Sequence, residues 1–150
     1  MILSLISLLI DPLLIFKNIN IYSSIISLVV LYKPNSKKEN LIISVIIGLL
    51  YDIFYSNLFI NIFLFLIISL LINYYFEIKK YNLKNVIIIS LFIIFTYNTI
   101  CFLILKIVNI NTYSYIYFIS NLFYIYIVNT IYTSLLYLFI NIKNKNIIKW

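Results

Sequence analysis

The sequence predicts an all-α, polytopic integral membrane protein: a six-transmembrane-helix bundle with N and C termini cytoplasmic, residues 1–150 forming a single transmembrane domain. Composition, the spacing of apolar stretches and the placement of lysines predict it. The chain has 150 residues, 65% of them hydrophobic and 10% charged, with a mean hydropathy of +1.11. A soluble domain carries about a quarter charged and about half apolar residues. A chain this poor in charge cannot cover its surface with polar groups, which excludes a water-soluble globule.

A span needs roughly 20 apolar residues, about 17 at the short end, to cross ~30 Å of hydrocarbon. Charged and turn residues divide the chain into six such stretches. The first, about 1–16, ends at Lys17-Asn18. The second, about 19–32, is closed by Lys33-Pro34-Asn35-Ser36-Lys37-Lys38-Glu39. Both are short, so tilted neighbours or local thinning of the bilayer must accommodate them. The third and fourth, about 41–55 and 58–76, are parted only by Ser56-Asn57, and the fifth covers about 86–105. The run from Tyr113 to Ile142 is too long for one span and too short for two. Tyr113, Tyr115 and Tyr117 suit the headgroup belt. Tyr113 to about Asn121 is therefore read as interfacial, and the sixth span as about 122–142.

Lysine placement supports the count. With six spans, Lys33, Lys37, Lys38, Lys79, Lys80, Lys84, Lys143, Lys145 and Lys149 fall on one side, and only Lys17 and Lys106 on the other. Positive residues favour the cytoplasmic side, which sets the orientation. Residues 1–16 lack the basic start of a cleaved signal, and Asp11-Pro12 interrupts their apolar run, so they are expected to remain as a span. The net charge of +7 is spread over short connections. It orients the chain and touches membrane lipid, and no nucleic-acid partner is expected.

Absences restrict the chemistry. There is no His, Arg, Ala or Gln, one Cys (Cys101), one Gly (Gly48) and four carboxylates. Imidazole catalysis, His or paired-Cys metal sites, an intrachain disulfide and glycine-rich phosphate loops are excluded. No catalytic residue, cofactor or metal is expected. The abundance of Ile, Asn, Lys, Tyr and Phe points to an AT-biased genome, so scattered Asn and Tyr carry little weight as functional marks.

Polar groups inside hydrocarbon call for an explanation, since a carboxylate at mid-bilayer costs about 2.5–3.5 kcal/mol. Glu39 and Glu77 fall in lysine-rich connections and read as solvated. Gly48, Asp52 and Ser56 lie four residues apart on one helical face. Gly48 permits close approach of another backbone and Asp52 a hydrogen bond there. Two readings stand: a helix–helix or partner-docking seam, or a carboxylate at the outer headgroup boundary capping the turn at Ser56-Asn57. Asp11 precedes Pro12, either as an N-cap before the first helical residue or as part of a kink. In the sixth span Tyr126, Asn129, Thr130, Thr133 and Tyr137 form one polar stripe, opposite Val128, Ile131, Leu135, Leu138 and Phe139. Such a stripe faces other helices and its reverse faces lipid. Cys101 reads as a small buried hydrophobe.

Two segments resemble the rod shape-determining MreD family in its low-GC Gram-positive-like form. Gly48-Leu49-Leu50-Tyr51-Asp52 followed by a turn and Asn61 is similar to that family's Gly-Leu-x-x-Asp signature and the Asn opening its next span. Leu9-Ile10-Asp11-Pro12 is similar to the acidic or amide position near the end of its first span. Where the family commonly has Gly before the Asn, this chain has Phe59-Ile60. The resemblance implies a non-enzymatic component of the cell-elongation complex in the bacterial cytoplasmic membrane. Its partners would be MreC, the MreB filament, a RodA-type glycosyltransferase and a penicillin-binding transpeptidase. Gly48, Asp52 and Asn61 would form a structural and docking seam.

The alternative is the substrate-binding subunit of an energy-coupling-factor vitamin transporter, also a small six-span protein. It would need a polar pocket on the outer side, usually with Arg, His or Trp. This chain has only Trp150, at the cytoplasmic end, and lacks the Ala-rich motifs that dock such subunits.

Overall fold

The computed structural model describes residues 21–56, 60–107 and 115–147. These residues are helical with short connections, and no strand occurs among them. The helices are α1 (Ser23–Val30), α2 (Lys37–Tyr51), α3 (Asn61–Ile78), α4 (Leu83–Ile107) and α5 (Tyr115–Ile147). A 3₁₀ turn, Pro34–Ser36, precedes α2, and a π-helical turn, Asp52–Ser56, extends it. Among the described residues three helices are long and apolar enough to cross a membrane: α3, α4 and α5. The first expected span, about 1–16, and Asp11 within it lie outside the described residues.

Helix α1 is the centre of the bundle. All eight of its residues are buried, and it touches each of the other helices. Its three serines, Ser23, Ser24 and Ser27, are enclosed along with its apolar residues. Eight residues rise only ~12 Å, so the expected second span is here a short plug rather than a full crossing. Its end has a local cause. Pro34 disfavours helical backbone at the residue before it, and Lys33 is accordingly extended.

Helix α2 begins at Lys37, so Lys37, Lys38 and Glu39 form its first turn instead of a loop. It pairs most closely with α3, whose last turn carries Glu77. The Lys37 ammonium donates to the Glu77 carboxylate. This half-exposed pair fixes register more than it stabilises. The start of α4 is set by Asn82, whose Oδ1 accepts the Asn85 N–H at 2.9 Å, the bond expected of an N-cap.

Helix α5 runs unbroken for 33 residues. The stretch up to Asn121, read as interfacial, is from Tyr115 onward part of the same helix as the sixth span. Nothing stops it, because no Gly or Pro occurs between Tyr115 and Ile147. At roughly 50 Å it is longer than hydrocarbon is thick. Its polar stripe turns inward as expected: Asn129 and Thr133 are fully buried, whereas Ile131, Leu135, Leu138 and Phe139 are exposed.

The core joins Ile25, Ile26 and Val29 of α1 to Ile47, Phe65, Ile68, Ile93, Ile94 and Ile125. Hydroxyl and amide side chains on the long helices bond their own backbone one turn back. Ser90 donates to the Val86 carbonyl, Thr130 to Tyr126 and Thr133 to Asn129, each at 2.7 Å. Polar residues are thereby satisfied inside apolar helices.

Three contacts gather lysine-bearing segments at one end of the bundle. Lys37 meets Glu77, the Tyr81 hydroxyl donates to the Val30 carbonyl, and the Tyr81 and Tyr137 rings lie 5.7 Å apart. The turn carrying Lys33, the connection carrying Lys79 and Lys80, and the last turns of α5 are therefore neighbours.

Candidate functional site

At the opposite end, Gly48, Asp52 and Asn61 come together. A helix start leaves its first backbone N–H groups without intrahelical partners, and Ile60 at the N-cap of α3 offers no side-chain bond. The Asp52 carboxylate fills the gap from the preceding helix. Its Oδ1 accepts the Asn61 N–H at 3.1 Å and the Asn61 Nδ2 at 2.9 Å, and its Oδ2 accepts the Ile62 N–H at 2.9 Å. Asp52 is 0% exposed. A buried carboxylate is tolerated when N–H donors and a helix N-terminus surround it.

Gly48 makes that geometry possible. A Cβ built on it would lie 2.8 Å from both the Asn61 carbonyl oxygen and the Ile62 Cα. These are backbone atoms of α3, so a larger residue would push the start of that helix away from Asp52. Gly48 and Asp52 share a face as the four-residue spacing predicts. The spacing is not continued to Ser56, because the helix widens to a π turn from Asp52 onward. Asp52 is thus buried and caps the start of α3.

The bonds continue inward. The Tyr97 hydroxyl on α4 donates to Asn61 Oδ1 at 2.7 Å. The Tyr97 ring stands edge-on to Phe65 and Tyr22, with centroids 6.1 and 5.8 Å away. The Tyr22 hydroxyl donates to Asn98 Oδ1, and the Tyr22 backbone N–H to Asn129 Oδ1 at 2.9 Å. Asn129 Nδ2 in turn donates to the Ile125 carbonyl at 2.7 Å. One polar thread therefore links α2, α3, α4, α1 and α5, and two of its members, Asp52 and Asn129, cap the start of a different helix. Chemically it fastens helix ends.

Discounting scattered Tyr and Asn as mutational drift hides Tyr22, Tyr97 and Asn98, which carry the middle of this thread. The available signal was the adjacent Tyr97-Asn98 pair deep in an apolar helix. Cys101, one turn beyond Tyr97, is half-buried and packs against the core.

At the lysine-rich end lies a cavity of about 280 Å³ between α1, α2 and α3, open on one side. Ser27, Ser69 and Ile72 form its buried floor, and Lys33, Glu39 and Ile42 its exposed rim. Nearby on α3, the buried Asn73 Oδ1 has no hydrogen-bond partner among the described residues.

No protein-family model, curated protein or solved structure matches this chain.

Proposed function

We propose that this chain is a multi-pass protein of the bacterial cytoplasmic membrane, with the lysine-rich end of its bundle facing the cytoplasm. It acts there as a non-enzymatic, MreD-like scaffold of the cell-elongation machinery. Its partners are MreC and, through the assembly, the MreB filament, a RodA-type glycosyltransferase and a penicillin-binding transpeptidase. The observation that carries this is the closure of Gly48, Asp52 and Asn61 into one seam, the three positions through which the sequence resembles that family. Convergence of the lysine-bearing segments at one end of the bundle supports the orientation. The polar atoms of the seam point inward, so a partner meets the outer side of α2, where Ile46, Leu49 and Ile53 are exposed. The seam holds that surface in place.

Affinity purification from native membranes tests the proposal. MreC and elongation synthases are expected to co-purify, and Asp52→Asn, which weakens the cap, is expected to reduce their recovery and round rod-shaped cells. Undiminished recovery and normal shape with the variant would defeat the seam's role. A retained vitamin would instead support the transporter-subunit reading. Against that reading, the cavity opens among Lys33, Glu39 and Asn40 at the lysine-rich end.

A further inference from the structure

We infer that the cavity between α1, α2 and α3 holds one acyl chain of an amine-bearing zwitterionic phospholipid, its phosphate on Lys33 and its ammonium on Glu39. The inference rests on the membrane setting proposed above, and not on any protein partner. The cavity joins a charged rim to a largely apolar lining. Its rim carries one cation and one anion, Lys33 and Glu39, neither of which forms an ion pair among the described residues. A purely anionic headgroup would meet the Glu39 carboxylate, and a purely cationic one the Lys33 ammonium. A headgroup with both charges matches both, and a primary ammonium can donate hydrogen bonds to a carboxylate that a methylated one cannot.

The lining also includes two hydroxyl side chains, those of Tyr32 and Ser69. Both residues line the cavity and are only 6% and 3% exposed. A tyrosine or serine hydroxyl can donate to the ester carbonyls of a glycerolipid, which are acceptors. Leu28, Leu31, Ile42, Ile43 and Ile72 make most of the remaining wall apolar, with Ser27 and Asn40 beside them. The exposed Ile42 leaves an opening through which a chain can enter from the side.

The test uses the full chain purified from membranes, after carbonate extraction shows that it is membrane-embedded. Detergent-washed protein is exposed to equal amounts of phosphatidylethanolamine, phosphatidylcholine and phosphatidylglycerol with identical acyl chains, and retained lipid is counted by mass spectrometry. Phosphatidylethanolamine is expected to exceed the other two by roughly fivefold, the size of one partly exposed charge contact. Glu39→Gln and Lys33→Gln, both rim changes that leave the core intact, are expected to abolish that preference. Ser69→Phe is expected to lower retention of all three lipids. Retention of phosphatidylglycerol equal to or above phosphatidylethanolamine overturns the inference. So does a preference that survives both rim variants, or the absence of retained lipid. Release of the protein by carbonate would instead defeat the membrane setting itself, a failure visible before any lipid is added.

Discussion

Asn129 Oδ1, in the longest helix, accepts the backbone N–H of Tyr22, 107 residues earlier at the entrance to the shortest. One amide thereby caps α1 and anchors it to α5. Replacing Asn129 by Leu removes the side-chain acceptor of the Tyr22 N–H, a loss of about 1–3 kcal/mol. Asn129→Asp, which keeps the acceptor, is expected to lose less. Thermal melting in detergent, followed by circular dichroism, distinguishes the two. Equal melting of both variants would show that the cap contributes nothing.

Gly48→Ala is expected to destabilise although Ala is the better helix former by about 1 kcal/mol. The new methyl must displace the backbone of α3 at Asn61 and Ile62, and overpacking of this kind costs about 1–3 kcal/mol. Gly48→Val should be worse. A melting temperature at or above that of the wild type for Gly48→Ala would contradict the close approach.

Asn73→Leu is expected to raise stability. The Asn73 oxygen is buried and unbonded, and the substitution removes its desolvation cost of about 1–3 kcal/mol at nearly constant volume. A lowered unfolding midpoint would reveal a bonding partner for Asn73 in the membrane.

Stability should fall above about pH 10. Burial pushes the Tyr81 hydroxyl up from its ordinary 10.0, and the hydrogen bond to Glu77 raises Lys37 from 10.5. Unfolded, both groups release their protons near those ordinary values, whereas the fold holds them protonated to higher pH. Their contribution is complete below the unfolded values and declines as pH rises past them. Melting curves at pH 8, 10 and 11 are expected to shift downward, less steeply for Tyr81→Phe. An identical slope for that variant would remove Tyr81 from the account.

Much of the bundle is legible because hydropathy dominates its physics. The cores of α3 and α4 fall where apolar length places them, and Gly48-x-x-x-Asp52 announces a close contact through its rarity in such surroundings. Other features depend on tertiary partners that no local pattern encodes. The shortness of α1 follows from Pro34 at one end and from Asn129, far away in sequence, at the other. Tyr97 looks like one aromatic among many until Asn61 is set beside it. The continuity of α5 past Asn121 was readable in principle, since a helix without Gly or Pro has no reason to stop, but girdle-like tyrosines suggested a boundary.

The central position of α1 bears on how the protein is made. The entrance to α1 leaves the ribosome 107 residues before Asn129, the residue that fastens it. The plug therefore waits, too short to settle in the bilayer unaided, until α5 arrives to secure it. Nascent chains cut before Asn129 would carry an unsecured middle, leaving quality-control proteases a ready distinction between finished and unfinished molecules.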